Sequence, residues 1–470
     1  MDGVTPIDSQ VPSRSFGDEL RALLRLGLPI ALVQIGMAGL NFVDVAMLGH
    51  HDPASLPAMA LGNNLAWGAS MFCLGTITGM DPLLSQAVGA KDAAAVPRLL
   101  GRGLLLVLLL AVPASLLLLP AATWLELTGQ EPELIPAAAR FARWQSLALL
   151  PLLLYGLLRV VLSAHARLWP QVITIVVGNL ANAFLDWVLI YGKLGFPAMG
   201  VDGAALATVT CRWLMLFGLL AFGWRDLGPH LRTMCQPAVA RAAFALGPLW
   251  RVLRLGTPSG LQFVLEMGVF AAVALFIGNF DASTDSDGAG LAGHQVAMQL
   301  ATLSFMLPLG LGIATSVRVG WAVGAGDQAA VHRAVRAGLV ASATVMAGFM
   351  LLFLLMPTAL AGLLTSQPEH VAMAAILIPI AGVFQIGDGL QVAAIGSLRG
   401  LGDLRSPVVA NLVGFWLLGL PLGLWLARSC ELGAAGLWWG LVGGLFVVAG
   451  GLLYVLRLRL RLDHRRLRLD

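Results

Sequence analysis

The sequence predicts an all-α integral membrane protein with about twelve transmembrane helices in two pseudo-symmetric six-helix bundles. Three observations carry this. Of 470 residues, 58% are hydrophobic and 11% charged, less than half the ~25% charged content of a soluble globular chain. A water-soluble core could not hide that apolar surface, whereas helices in lipid are apolar all round. The apolar residues also fall into twelve stretches, each near the ~20 residues a helix needs to cross the hydrocarbon core. Finally, short patterns of the first half return in the second, about 230 residues on.

The first six spans are predicted at 25–48, 55–80, 99–121, 137–162, 170–191 and 201–223. The second six fall at 251–279, 289–315, 334–361, 371–396, 406–427 and 434–456. The domains follow: a cytoplasmic N-terminal segment (1–24), an N-lobe (25–224), a cytoplasmic linker (225–250), a C-lobe (251–456) and a basic cytoplasmic tail (457–470). The polar start lacks a signal-peptide pattern, so the first span is expected to direct insertion and to stay.

The halves repeat in order. Leu24-Arg25-Leu26-Gly27-Leu28-Pro29 returns as Leu253-Arg254-Leu255-Gly256-Thr257-Pro258. Ala87-Val88-Gly89-Ala90 returns as Ala322-Val323-Gly324-Ala325, and Gly203-Ala204-Ala205 as Gly433-Ala434-Ala435. Six spans between equivalents insert both repeats the same way up, the arrangement of parallel repeats that hold a substrate between them.

The net charge of +4 reads as loop charge rather than a nucleic-acid footprint, since no zinc spacing or aromatic-basic segment accompanies it. One side collects Arg14, Arg21, Arg25, Lys91, Arg98, Arg102, Arg159, Arg167, Arg225, Arg232, Arg241, Arg251, Arg254, Arg318, Arg333, Arg336, Arg399, Arg405 and the tail arginines. The other has Arg140, Arg143, Lys193 and Arg428. This asymmetry puts both termini in the cytoplasm. The expected surroundings are a lipid bilayer and small molecules, with no nucleic acid and no obligatory protein partner. The four cysteines, Cys73, Cys211, Cys235 and Cys430, form no framework.

Chemistry should reside in the few polar groups at membrane depth. A carboxylate at a helix centre costs about 2.5–3.5 kcal/mol on insertion scales, and persists where it faces a cavity or partner. Asp44 lies late in span 1. Asn179, Asn182 and Asp186 recur at i, i+3, i+7 on one face of span 5. Glu266 in span 7 follows Gln262 by one turn, and Asp388 in span 10 is flanked by Gln385 and Gln391. Each half thus owns two acids with amide neighbours. A carboxyl removed from water holds a proton more readily, and several hard oxygens can instead replace the hydration shell of Na+. Either makes a coupling site for H+ or Na+, with Na+ placed at Glu266 and Asp388, and acids lining a cavity draw cationic substrates. Arg212, one turn after Thr208 in span 6, is expected to pair with Asp44 or Asp186. Gln34, His294 and Gln295 are further candidates for lining the interior.

No G-x-x-x-x-G-K-[ST], H-E-x-x-H or G-x-S-x-G is present, so neither ATPase nor hydrolase chemistry is expected, and no cofactor. A lipid-linked oligosaccharide flippase and an intramembrane enzyme are the rival readings. The first would need a basic cavity, the second a cluster of catalytic side chains.

Together these residues resemble the multidrug and toxic compound extrusion family, in its NorM-type bacterial branch, over roughly 20–456. Phe42-Val43-Asp44 resembles the family's first-helix aspartate motif, and Leu189-Ile190-Tyr191-Gly192-Lys193-Leu194-Gly195 the end of its helix 5. Ala292-Gly293-His294-Gln295-Val296-Ala297 resembles the opening of helix 8, with Ser316-Val317-Arg318-Val319-Gly320 and Gly396-Ser397-Leu398-Arg399-Gly400 similarly close. The resemblance implies two six-helix bundles around a central cavity. It implies export of amphipathic, often cationic compounds in exchange for Na+ or protons, across a bacterial inner membrane. Asp44, Glu266 and Asp388 match family acids, and Asp186 with Asn182 and Thr208 is similar to the first-lobe site of the DinF-like branch. NorM-type members often have Asn where this chain has Asp186, and some sodium-coupled members have Tyr where it has Phe384. One acid gained and one oxygen lost leans toward protons.

Overall fold

A computed structural model describes residues 15–283, 288–462, 464 and 466–467. They form long helices joined by short turns, with no strand among the described residues. The twelve long helices are α1 (Phe16–His51), α2 (Leu56–Thr78), α3 (Ala95–Leu118), α4 (Ile135–Ala164), α5 (Trp169–Leu189) and α6 (Gly200–Phe222). After them come α7 (Leu246–Ser283), α8 (Ala289–Ala325), α9 (Gln328–Leu355), α10 (Pro368–Leu401), α11 (Ser406–Ser429) and α12 (Gly433–Arg459). Eleven are long and apolar enough to cross a bilayer. The twelfth, α2, falls short because Asn63 and Asn64 sit side by side in its middle.

Helix ends follow local chemistry. α1 starts nine residues before the predicted span, at Phe16, because Ser15 Oγ accepts the Asp18 N–H at 3.1 Å and Ser15 donates to Asp18 Oδ2 at 2.6 Å. α9 stops at Leu355 rather than running to 361, because Pro357 starts a separate turn, Pro357–Gly362. Asp327 caps α9 by accepting the Ala330 N–H at 2.9 Å. The stretch 225–250 is helical: Trp224–Met234 and Pro237–Ala243 precede the start of α7 at Leu246. In α11, residues Leu412–Gly419 are wound as a π-helix, a form that occurs mostly as single-turn bulges inside α-helices and frequently at functional sites.

Contacts divide the chain into two compact units. One contains Leu32–Gly260, and the other the described part of Val11–Ala31 with Leu261–Arg466. The boundary therefore crosses α1 and α7 inside each helix. In the first unit α2, α3 and α6 pack on α4, and α5 on α6. In the second, α8, α9 and α12 pack on α10, and α11 on α12. Small residues permit close approach where lipid supplies no hydrophobic drive between helices. A Cβ on Gly440 would collide with the backbone of Gly423, so α11 and α12 touch main chain to main chain.

Three of the arginines counted with the loop and span-end charges lie within helices. Arg159 is inside α4, five residues before its end. Arg318 and Arg399, 5% and 8% exposed, are inside α8 and α10. A guanidinium with a buried acceptor need not reach water, and Arg318 has one: its Nε and Nη2 donate to Glu19 at 2.8 and 2.6 Å.

Candidate functional site

In the first unit the polar face of α5 meets α1. Asn179 Nδ2 donates to the Gly36 carbonyl at 3.0 Å, which fixes the two helices two residues after Gln34. Further along, Asn182 Nδ2 donates to Asp44 Oδ1 at 2.9 Å. From α6, the Thr208 hydroxyl donates to Asp44 Oδ2 at 2.7 Å. Asp186 meets Asp44 carboxyl to carboxyl, and neither of its oxygens accepts from an amide or hydroxyl; Asn182 Oδ1 is likewise buried without a donor. Asp44 is 3% exposed and Asp186 fully buried.

A cavity of about 40 Å³ opens beside this cluster, lined by Asp44, Thr208 and Arg212 together with Asn41, Asn63 and Tyr155. That volume suits an ion and a few waters and is far below the ~300–1,000 Å³ of a drug-sized site. Asn63 Nδ2 donates to Asn41 Oδ1 at 3.1 Å, joining α2 to α1. Arg212 shares the cavity with Asp44 and its field reaches that carboxylate, but it makes no direct ion pair among the described residues.

In the second unit the centre is Glu266, half-buried on α7. Gln391 Nε2 on α10 donates to its Oε1 at 2.9 Å. Asn411 Nδ2 on α11 donates to Oε2 at 3.3 Å, and Gln262, one turn earlier on α7, donates there at 3.4 Å. Asp388, 6% exposed, lies one turn before Gln391 and within electrostatic range of Glu266. The Gln391 Oε1 and Asn411 Oδ1 oxygens are buried without partners. Each unit therefore holds two carboxyl groups ringed by amides and bordered by orphaned oxygens. Unpaired oxygens beside carboxylates fit a hard cation such as Na+, which takes oxygen ligands.

The remaining candidates go elsewhere. Gln34 accepts from Arg159 rather than joining the Asp44 cluster. Gln385 Nε2 donates to Ser304 at 2.8 Å. Trp438 Nε1 donates to His294 Nδ1 at 3.2 Å, which leaves the histidine proton on Nε2. Gln295 is on the exposed face of α8. Phe384 packs edge-on against Phe270 and Trp438, with ring centroids 6.1 and 6.4 Å apart. Sequence reasoning missed Asn411, Asn41, Tyr155 and Arg159. The only available signal was an amide, hydroxyl or guanidinium inside an apolar span.

A family model described as MatE matches the chain twice, over residues 29–188 and 258–425. The chain is 35% identical over 460 residues to the probable multidrug resistance protein NorM of Mesorhizobium japonicum, covering 95% of both chains. It is also 35% identical over 453 residues to the probable multidrug resistance protein NorM of Pseudomonas putida, covering 94% and 95%. The solved eukaryotic MATE transporter AtDTX14 matches with a TM-score of 0.85 over 95% of this chain and 98% of its own, at 22% identity, a likeness of fold. With one model match on each half and relatives that align end to end, the chain belongs to the MatE family of multidrug and toxic compound extrusion transporters.

Proposed function

We propose that this protein is a secondary antiporter that exports amphipathic, often cationic compounds in exchange for H+ or Na+. The observation that carries the reading is the duplicated cluster: Asp44 with Asn182, Thr208 and Asp186 in one unit, Glu266 with Gln391, Asn411 and Asp388 in the other. Two carboxyl groups side by side in a dry bundle can share one proton or hold one cation between them. Filling such a site removes charge and satisfies the orphaned oxygens, so ion binding favours the conformation that closes the shell. A ligand drives a cycle only through such a difference between states. The relatives' names, multidrug resistance proteins, support the substrate class. The arginine asymmetry supports both termini in the cytoplasm, and the bacterial relatives support a bacterial inner-membrane location.

The test is reconstitution in liposomes with ethidium, applying a sodium gradient and a pH gradient separately at clamped membrane potential. Dye movement driven by one gradient names the coupling ion. Movement under neither gradient, with protein shown to be inserted and folded, would remove multidrug antiport as the function.

A further inference from the structure

Two of the helices that line the cavity beside Asp44, α1 and α4, carry a hydrogen-bonded polar pair just past its lining. On α1 its lining runs from Asp44 back to Met37, and on α4 from Leu152 to Tyr155. One turn beyond Met37 on α1 is Gln34, and one turn beyond Tyr155 on α4 is Arg159. These two side chains are hydrogen-bonded to each other, Arg159 Nη2 donating to Gln34 Oε1. The Arg159 guanidinium carbon lies 5.8 Å from the Tyr155 ring centroid, and the Tyr155 hydroxyl is buried with no partner. The acid that faces Arg159 is Asp81, 5% exposed. It offsets part of the field at the guanidinium, whose direct partner remains the neutral Gln34.

We infer that Arg159 is the ion-excluding residue of this cavity. Its fixed positive charge, positioned by Gln34, bars protons and Na+ from passing between Asp44 and the Ala164 end of α4 while α1 and α4 stay joined. The inference rests on Asp44 being a coupling site. A cation entering a narrow, water-poor passage toward an arginine meets an electrostatic barrier, the device by which an arginine keeps protons and cations out of a pore. Without that barrier an ion bound at Asp44 could leave on either side at any time, and its gradient would be dissipated without moving substrate. With it, release toward the Ala164 end requires the Gln34–Arg159 bond to open, which ties ion release to a change between α1 and α4. Tyr155 then lies between the bound ion and the barrier, with a free hydroxyl to hold a water or pass a proton.

The experiment measures substrate-free ion leak and gradient-driven ethidium transport in the same proteoliposomes, using a pH-sensitive dye sealed inside or a sodium-sensitive one. Arg159→Gln is expected to raise the leak about 10-fold and to lower substrate moved per ion, and Arg159→Lys to stay tight. Adding Asp44→Asn to Arg159→Gln is expected to abolish the leak, because the path runs through that carboxylate. If Arg159→Gln fails to fold, by thermal unfolding in detergent, Gln34→Glu serves instead: it cancels the guanidinium's field without deleting it, and the same leak is expected. A folded Arg159→Gln with wild-type tightness would overturn the inference, as would a leak that survives Asp44→Asn. Wild-type protein that moves dye under neither gradient, with Arg159→Gln leaking through Asp44, would sink the antiport reading while leaving the barrier in place.

Discussion

Asp44 and Asp186 share a buried site but not a hydrogen-bond shell. The first accepts from Asn182 and Thr208 at 2.9 and 2.7 Å, and the second meets the Asp44 carboxyl but takes no amide or hydroxyl donor on either oxygen. Asp44→Asn keeps the volume and most of the donors' geometry but removes the charge. The variant is expected to insert and to unfold within a few degrees of wild type. Coupled transport should fall at least ~10-fold, the effect of losing about 1.4 kcal/mol of differential ion binding. Ethidium transport in proteoliposomes and a thermal melt in detergent together check this.

Asn411 completes the shell of Glu266 from α11. A hydrogen bond to a charged group contributes about 1.5–3 kcal/mol. Asn411→Ala is therefore expected to move the ion concentration for half-maximal transport by about 10-fold, with the maximal rate changed far less. Titrating the coupling ion at saturating substrate separates the two.

Glu19 and Arg318 form a two-pronged ion pair with side chains 1% and 5% exposed, and the Trp321 ring lies 5.4 Å from the guanidinium. Removing one partner strands a buried charge, at a cost of about 3–5 kcal/mol. Arg318→Met should lower the melting temperature clearly, and Glu19→Gln with Arg318→Met should recover part of the loss. A double variant no better than Arg318→Met would show that the pair is not what the first variant breaks.

His165, at the end of α4, and His230, on the helix Trp224–Met234, have ring centroids 5.0 Å apart. Burial pushes both imidazoles below the ordinary histidine value. His165 adds to this at His230, while Asp226, bound to Arg167 at 2.9 Å, opposes it at both. A base whose folded pKa is depressed is docked in its neutral form. The contact is at full strength above the unfolded value of about 6.5 and weakens as pH falls through that value toward the folded ones. Measured against the intrinsic exchange rate at each pH, the amides of Trp224–Met234 should be less protected at pH 5.5 than at pH 8. His230→Asn should flatten that dependence.

Much of this was legible in the sequence, because a bilayer makes hydropathy decisive and punishes every buried charge. The spacing of Asn179, Asn182 and Asp186 predicted a single face, and that face meets α1. Arg159 was placed near the end of its span, but its bond to Gln34 was not foreseen, because a window of sequence cannot tell a guanidinium that turns inward from one that reaches for the headgroups. The expected pairing of Arg212 with an acid is replaced by a shared cavity, since the Asp44 oxygens are already taken by Asn182 and Thr208. Asn411 was invisible for a different reason. It immediately precedes the π-wound segment of α11, where the usual periodicity no longer says which way a side chain faces.

The boundary that crosses α1 and α7 makes the two halves of the gene inseparable as folding bodies. A chain cut near Gln236 would yield a first fragment that retains 15–31, whose contacts belong with the second unit. The second fragment would carry Leu246–Gly260, whose contacts belong with the first. Neither fragment could close its own core, yet each would carry the segment its counterpart lacks. Expressed together from separate messages, the two are expected to find one another and rebuild the transporter by exchange. Expressed apart, each should be degraded.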